Sequence, residues 1–220
     1  MKPRLHILLL LAALALPAAA QAQGIAIGGR AGTLGFGGEA ALGLNDNFVL
    51  RGGVGSFFLD FKGDLDDVEY TVTPPSMTAT VGIDLYPTGG SFRIMGGFMY
   101  RDGDFSADSE DIAAAGGVEI GDVEYTEAGT LHGTLATKST APFVGIGFGN
   151  HTRGGFGFFL DLGVAFVGEP DVVLEARGPL ASASDLQTQL AIEEQNIEDD
   201  AGEYLKYWPI VNLGIKIPIG

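Results

Sequence analysis

Charged side chains stand at alternate positions inside otherwise apolar segments of this 220-residue chain. In residues 156–167, bulky apolar side chains fill every second position, and Asp161 lies among the mostly small residues between them. Similar segments carry seven further charges in that phase: Arg30, Glu39, Arg51, Asp84, Arg93, Arg101 and Lys216. Brought together, five bases and three acids can form a network of ion pairs or line a narrow pore with fixed charge.

The sequence contains few patterns of residues that could form a nucleophilic catalytic site or a metal site. The chain has no Cys, and its only histidines after the N-terminal segment are His132 and His151. A Ser–His hydrolase would need His132 to meet Ser106 or Ser109, and no motif indicates such a pair. Residues 102–108 alternate oxygen ligands like a calcium loop but lack its glycine. We therefore predict no catalytic residue, no cofactor and no metal ligand.

Eight segments with the alternating pattern predict eight β-strands, and these strands set where the charges lie. Each is about as long as a tilted strand that crosses a membrane. An ionised Lys or Arg facing lipid at mid-depth costs about 2–4 kcal/mol, so the bulky phase should face outward and the charged phase inward. This predicts an all-β fold, an eight-stranded antiparallel transmembrane β-barrel. The predicted strands are residues 25–33, 36–45, 48–59, 76–86, 91–101, 141–149, 156–167 and 208–219.

The size of the barrel bears on what the inward charges do. Side chains fill the interior of an eight-stranded barrel, which favours an ion-pair network over an open pore. We expect the bases Arg51, Arg93 and Lys216 to be paired in the lumen. Their expected partners are the acids Glu39, Asp84 and Asp161.

Aromatic residues recur near both ends of the outward phase. Near the short connections these are Phe48, Phe92, Phe148 and Phe156, and near the long connections they are Phe58, Tyr100 and Phe166. Two aromatic girdles at the two bilayer interfaces are typical of a spanning barrel. The alternative is the ordinary enrichment of Phe in strands.

Residues 1–22 have the pattern of a secretory signal peptide. Lys2 and Arg4 precede the apolar run 7–16, and the segment ends in Ala20-Gln21-Ala22. As a membrane anchor the apolar run would be too short, because the hydrocarbon core is about 30 Å thick. We therefore predict a signal peptide over 1–22 and a barrel domain over 23–220.

The connections between the predicted strands are alternately short and long, except that the first connection, Leu34-Gly35, is short where a long one is expected, and the long connections are acidic. Of the 28 Asp and Glu residues, 24 fall in 60–70, 102–127 and 169–203, and the net charge of the chain is −16. By parity the long loops 60–75, 102–140 and 169–206 face the exterior. Clustered carboxylates there disfavour nucleic acid and suit a cationic protein or divalent ions, although simple solvation is the alternative.

Two features of the long loops predict further structure. Residues 184–205 change to helical spacing behind Ser184 and Gln187, which predicts a short amphipathic helix before the last strand, packed on protein or exposed to solvent. The segment Asp-Val-Glu-Tyr-Thr occurs at 67–71 and again at 122–126. Its alternation predicts loop hairpins that extend beyond the barrel wall.

In its strands, its signal peptide and its final segment 207–219, the chain resembles the small OmpA-type outer-membrane β-barrel superfamily of Gram-negative bacteria. The assembly signal of that family ends in aromatic residues. Asn212 and Gly214 match its earlier positions, whereas Ile217 and Ile219 replace both aromatics. The resemblance implies an outer-membrane location, and relatives include structural anchors, adhesins, host-factor binders and narrow pores.

Together these patterns predict a monomeric outer-membrane barrel, with membrane lipid around it and a structural or cell-surface interaction role for its acidic loops. A narrow porin-like channel lined by the lumenal charges is the alternative, and an outer-membrane enzyme is a weaker one. A soluble lipocalin-like barrel is the rival fold, and it would place the bulky phase inward.

Overall fold

The computed structural model describes residues 24–65 and 68–219 of the chain. The signal peptide predicted for residues 1–22 lies outside the described residues. The strands of the described part are β1 Ile25–Gly32, β2 Phe36–Gly43, β3 Phe48–Ser56, β4 Phe61–Leu65, β5 Val68–Thr73, β6 Met77–Leu85, β7 Phe92–Asp102, β8 Phe105–Ser109, β9 Val118–Ile120, β10 Val123–Tyr125, β11 Thr130–Ala136, β12 Thr140–Phe148, β13 Gly157–Phe166, β14 Asp171–Arg177 and β15 Tyr207–Pro218. The helices are α1 Ile112–Ala115 and α2 Leu186–Leu205, and a 3₁₀ turn covers Pro179–Ser182.

Eight of these strands close into an antiparallel barrel, which confirms the predicted fold class. The order around the barrel is β1-β15-β13-β12-β7-β6-β3-β2, and β1 completes the ring by pairing with β2. Seven of the eight barrel strands begin and end within two residues of the predicted segments, and β3 ends three residues early. Closure pairs both sides of every strand, so the barrel has no open edge.

The two phases of each barrel strand face opposite environments. The bulky phase points outward, where the side chains of Phe98 and Phe158 are 58% and 68% exposed. The charged phase points inward, where Arg93 and Asp161 are 0% and 2% exposed. This arrangement is the reverse of a soluble barrel, which buries its bulky side chains.

Two inward glycines make room for long basic side chains in the lumen. A Cβ added at Gly147 would lie 2.6 Å from Cζ of Arg93, and one at Gly53 would lie 2.9 Å from Nη1 of Arg30. Such separations are well below van der Waals contact, so a larger residue would displace the guanidinium groups. The glycines therefore belong to the packing of the lumen.

The three long connections fold into a second layer at one end of the barrel. We call this part the loop layer and define it as the described residues of 57–76, 103–139 and 167–206. Its centre is a five-stranded sheet with the order β14-β11-β8-β5-β4. The small hairpin β9–β10 forms a separate two-stranded sheet. The two copies of Asp-Val-Glu-Tyr-Thr contribute to β5 and β10. The loop hairpins thus form their own sheets and add no strand to the barrel.

Helix α2 packs against the other elements of the loop layer rather than lying free in solvent. Leu186 and Leu190 are buried in an apolar cluster. The other buried members of that cluster are Val68, Ile112, Val118, Ile120, Tyr125, Leu131 and Leu180. The sequence predicts Ser184 as the N-cap, but the helix begins one residue later. Its N-cap is Asp185, which makes no capping hydrogen bond and instead accepts one from the Tyr125 hydroxyl at 3.0 Å.

The polar face of α2 covers the edge strand β14. Glu194 accepts a hydrogen bond from the Leu174 amide at 2.7 Å, and Glu198 accepts one from the Val172 amide at 2.9 Å. Four residues of helix rise about 6 Å and two residues of strand about 6.7 Å, so this spacing matches the carboxylates to alternate amides. An otherwise open sheet edge is thereby satisfied by side chains. Neither helix of the described residues has the length and apolar character that crossing a membrane would require.

Candidate functional site

Arg51 lies at the centre of the lumen and contacts acids from three other strands. Its guanidinium is 3.2 Å from Glu39 on β2, 3.0 Å from Asp84 on β6 and 2.6 Å from Asp161 on β13. All four side chains are nearly excluded from solvent. Inward strand phases bring them together because one Arg side chain is long enough to reach across an eight-stranded barrel.

Arg93 on β7 completes the network beside Arg51. Its Nε lies 3.2 Å from Asp84, its Nη2 binds Asp161, and its Nη1 donates to the Gly149 carbonyl at 2.5 Å. The guanidinium carbon also lies 5.8 Å from the ring centre of Phe159. The two acids are thus shared between two bases, which suits burial because each charge has more than one partner.

Arg30 brings the central charges into balance. Its Nη1 donates to the Thr80 hydroxyl at 3.0 Å, and the side chain is buried. With Arg51 and Arg93 it supplies three positive charges against the three acids of the cluster. A balanced set of buried charges is far less costly than a set with net charge.

His151 closes the lumen at the end opposite the loop layer. It belongs to the turn between β12 and β13, yet it is 1% exposed. Its Nε2 lies 2.7 Å from Glu39 and its Nδ1 lies 3.1 Å from the Tyr86 hydroxyl. Burial lowers the pKa of His151, although the hydrogen bond with Glu39 acts in the opposite direction. A neutral ring with the proton on Nε2 satisfies both contacts, donating to Glu39 and accepting from Tyr86.

Tyr86 follows the end of β6 and extends its inward phase beyond Asp84. Burial raises the pKa of its hydroxyl. That hydroxyl also accepts a hydrogen bond from the backbone amide of His151 at 3.2 Å. Sequence reasoning missed both residues. Tyr86 could have been found from its spacing of two after Asp84, whereas nothing in the sequence marks a turn histidine that folds into the lumen.

Lys216 and Arg101 lie at opposite ends of the lumen, away from the central network. The expected pairing of Lys216 with a lumenal acid is wrong. Its ammonium donates to the Arg153 carbonyl at 2.5 Å, because it lies beside the turn that carries His151. Arg101 lies near the loop layer, where its Nη2 donates to Asp104 at 3.0 Å and to the Thr137 hydroxyl at 2.7 Å.

These side chains leave little free space in the barrel. A cavity of about 20 Å³ remains among residues that include Arg30, Arg51, Asp84, Asp161 and Asn212. That volume is about enough for one water molecule. The lumen in this structure is closed by side chains.

The aromatic residues predicted for the girdles lie on the outer face, and all seven are exposed. Phe92 and Phe148 form one pair, with ring centres 5.7 Å apart. At the loop-layer end Phe58 pairs with Phe36 at 5.0 Å, and Phe166 pairs with Tyr207 at 5.8 Å. Sequence reasoning left out Phe36 and Tyr207, which belong to the same outward phase.

In the described residues of the loop layer, no hydrogen bond joins His132 to Ser106 or Ser109. His132 lies 2.7 Å from Asp108, while the Ser109 hydroxyl donates to the Glu110 carbonyl and accepts from the Leu131 amide. Within the same residues, no cluster of His, Cys, Asp or Glu side chains has an arrangement that could hold a metal ion.

Comparison with known proteins shows the fold. CarO2 of Acinetobacter baumannii superposes with a TM-score of 0.66 at 22% identity, over 90% of this chain and 100% of that one. CarO of the same organism gives 0.62 at 18% identity, over 90% and 98% of the two chains. No protein-family model and no curated protein matches the chain. The resemblance to the OmpA-type superfamily therefore stays a prediction.

Proposed function

We propose that this chain is an outer-membrane barrel protein with a closed lumen, whose loop layer is a cell-surface interaction module. The observation that carries the proposal is the inverted barrel: bulky side chains face outward, and the charged side chains of the strands face inward around a balanced central cluster. Such a surface is stable only where the surroundings are apolar.

The composition of the outward face supports a position in lipid. Among the described residues of the eight barrel strands, Asp102 at the loop-layer end of β7 is the one Asp, Glu, Lys or Arg in the outward phase. The exposed aromatic pairs lie toward both ends of the barrel, as residues at two bilayer interfaces do. The signal peptide predicted over 1–22 would supply export.

Fractionation tests the location. Expressed with residues 1–22 in a Gram-negative host, the protein should sediment with the membranes and be released by detergent. Recovery of the mature chain in the periplasm without detergent would contradict the proposal.

The network around Arg51 and Arg93 supports a closed barrel rather than the alternative of a narrow channel. In planar bilayers the purified protein should give no steady current, while a barrel of known conductance shows that the assay responds. Large, ion-selective currents would favour the channel and would require the network to open.

The acidic loop layer supports interaction with cationic partners. Several exposed acids in the loop layer take no part in the hydrogen bonds that cover sheet edges, among them Glu119, Glu124, Asp199 and Asp200. Neutralising these four as Gln and Asn should weaken binding of a soluble cationic peptide such as oligolysine. The loss should be largest at low salt, because exposed charges are screened as ionic strength rises. Equal binding by the variant and the unmodified protein would leave these acids as a solvated surface only.

A further inference from the structure

An apolar cavity of about 450 Å³ lies where the barrel mouth meets the loop layer. Its walls are mostly aromatic and aliphatic. Its lining includes Arg101, Phe105, Leu135, Thr137, Trp208 and Pro209. A space of this size and character is typical of sites for small organic molecules.

Both layers of the fold contribute to the cavity. Trp208 and Pro209 come from the barrel strand β15, and Phe105 and Leu135 come from β8 and β11 of the loop-layer sheet. The rings of Phe105 and Trp208 lie 5.1 Å apart at 31°, and the indole N–H donates to the Thr33 carbonyl at 3.1 Å. The aromatic wall is therefore fixed in place by packing and by a hydrogen bond.

Arg101 is the one charged residue among those that line the cavity. It is 1% exposed, and its guanidinium carbon lies 5.7 Å from the Trp208 ring centre. Thr137 and Asp104 bind only Nη2, and in the described part of the chain Nε and Nη1 have no hydrogen-bond partner. Asp104 pairs with Nη2 alone, so the unsatisfied Nε–H and Nη1–H groups favour a further acceptor beside the guanidinium.

We propose that this cavity binds a small apolar acid, a molecule with one carboxylate or similar anionic group and a hydrocarbon or aromatic body. The anionic group pairs with Arg101, and the apolar body contacts Trp208, Phe105 and the aliphatic wall. Arg101 would repel a cation, and a hydrocarbon without an acceptor would leave its N–H groups unsatisfied, whereas a carboxylate supplies both negative charge and acceptor oxygens. The site is independent of the proposed cationic partner, since the four acids discussed above do not line the cavity.

Trp208 makes occupancy measurable because it is the single tryptophan of the chain. The full-length mature protein would be placed in phosphatidylcholine nanodiscs, which avoids detergents that could occupy the cavity. The probes are 10-bromodecanoate and 10-bromodecanol, since a bound bromine atom quenches tryptophan fluorescence on contact. The acid should quench Trp208 saturably, and the alcohol should bind at least about tenfold more weakly, because its neutral hydroxyl cannot form an ion pair with Arg101.

Substitution of Arg101 tests whether its charge, rather than the shape of the cavity, determines the preference for an acid. Arg101→Met should lower affinity for the bromo-acid about tenfold or more and leave the affinity for the alcohol unchanged. Arg177→Met is the matched control, because Arg177 is an exposed arginine of the loop layer that does not line the cavity. Circular dichroism would show that each variant is folded. If Arg101→Met did not fold, the preference of the unmodified protein for acid over alcohol would still decide the question.

Three outcomes would overturn the proposal. The first is equal affinity of the unmodified protein for acid and alcohol, and the second is unchanged acid binding by a folded Arg101→Met variant. The third is quenching of Trp208 by brominated phosphatidylcholine alone in the absence of any added probe, which would identify a lipid acyl chain as the occupant.

Discussion

At the scale of single residues, Arg51 connects more of the barrel than any other described side chain of the lumenal network. It links β3 to acids on β2, β6 and β13, so one guanidinium bridges both sides of the lumen. Its removal would leave three carboxylates with too few positive charges in a space that solvent hardly enters. The cost of an uncompensated buried charge is larger than the net gain from the intact pair.

Arg51→Met should therefore destabilise the folded barrel by about 3–5 kcal/mol. Urea unfolding in lipid vesicles, followed by Trp208 fluorescence, would measure the change. Lys62→Met is the control, because Lys62 pairs with Glu69 on the exposed surface of the loop layer. A variant as stable as the unmodified protein would show that the network contributes nothing to stability.

His151 gives the barrel a pH dependence whose sign follows from its environment. Burial lowers its pKa below the ordinary value of about 6.5, so below that pH the unfolded chain binds more protons than the folded one. Stability should fall as the pH falls below about 6.5. The facing groups are Glu39, Tyr86, Asp84 and the two arginines Arg51 and Arg93.

His151→Gln should lose less stability than the unmodified protein between about pH 7 and about pH 5. Urea unfolding at both pH values would measure the difference. The same loss in both proteins would mean that His151 is not protonated differently in the folded and unfolded states.

At the scale of elements, helix α2 and strand β14 form a unit held by backbone-to-side-chain hydrogen bonds. Glu194 and Glu198 accept from alternate amides of β14, and Glu193 accepts from the Gly121 amide at 3.1 Å. The acidic residues of α2 thus have two roles. Some are exposed to solvent, and others replace the neighbouring strand that β14 lacks.

The double variant Glu194→Ala, Glu198→Ala should open this edge and leave the barrel intact. Amide hydrogen exchange at Val172 and Leu174 should speed up about tenfold or more, because each amide loses its acceptor. Exchange in β13 and β15 should not change. Asp199→Ala, Asp200→Ala is the control pair, and equal acceleration in the control would assign the effect to lost charge.

At the scale of the whole molecule, the barrel and the five-stranded sheet of the loop layer share one apolar contact region. Leu34, Met99 and Trp208 belong to a buried cluster of the barrel mouth, and Phe105 of the loop layer packs against it. The barrel closes without the loop strands, since its eight members pair only with one another.

Replacing 57–75, 103–138 and 168–206 with short turns should therefore preserve the barrel. Circular dichroism should retain the β spectrum, and the emission of Trp208 should shift to longer wavelength because its cover is gone. Loss of β structure would mean that the barrel depends on the loop layer for folding.

The alternation of inner and outer residues made the eight strands predictable, because each strand meets two opposite environments. The ion pairs across the lumen were harder to predict from the sequence. The partner of Lys216 depends on a turn that folds inward, and nothing local to Lys216 encodes that turn. The loop-layer sheet could be predicted only in part. Its strands β5, β8, β11 and β14 come from three separate connections and pair across long stretches of chain.

Closure of the barrel depends on pairing between β1 and β15, two segments that lie far apart in the sequence. The first and last strands are direct neighbours, with Ala26 opposite Pro218. Until residues 207–218 pair with them, β1 and β13 each present an unpaired edge, a surface that favours aggregation. The contact that closes the ring is also the one most distant in sequence, and such contacts form slowly. A chain truncated before β15 would therefore leave an open sheet, because only the pairing of β15 with β1 and β13 closes the ring.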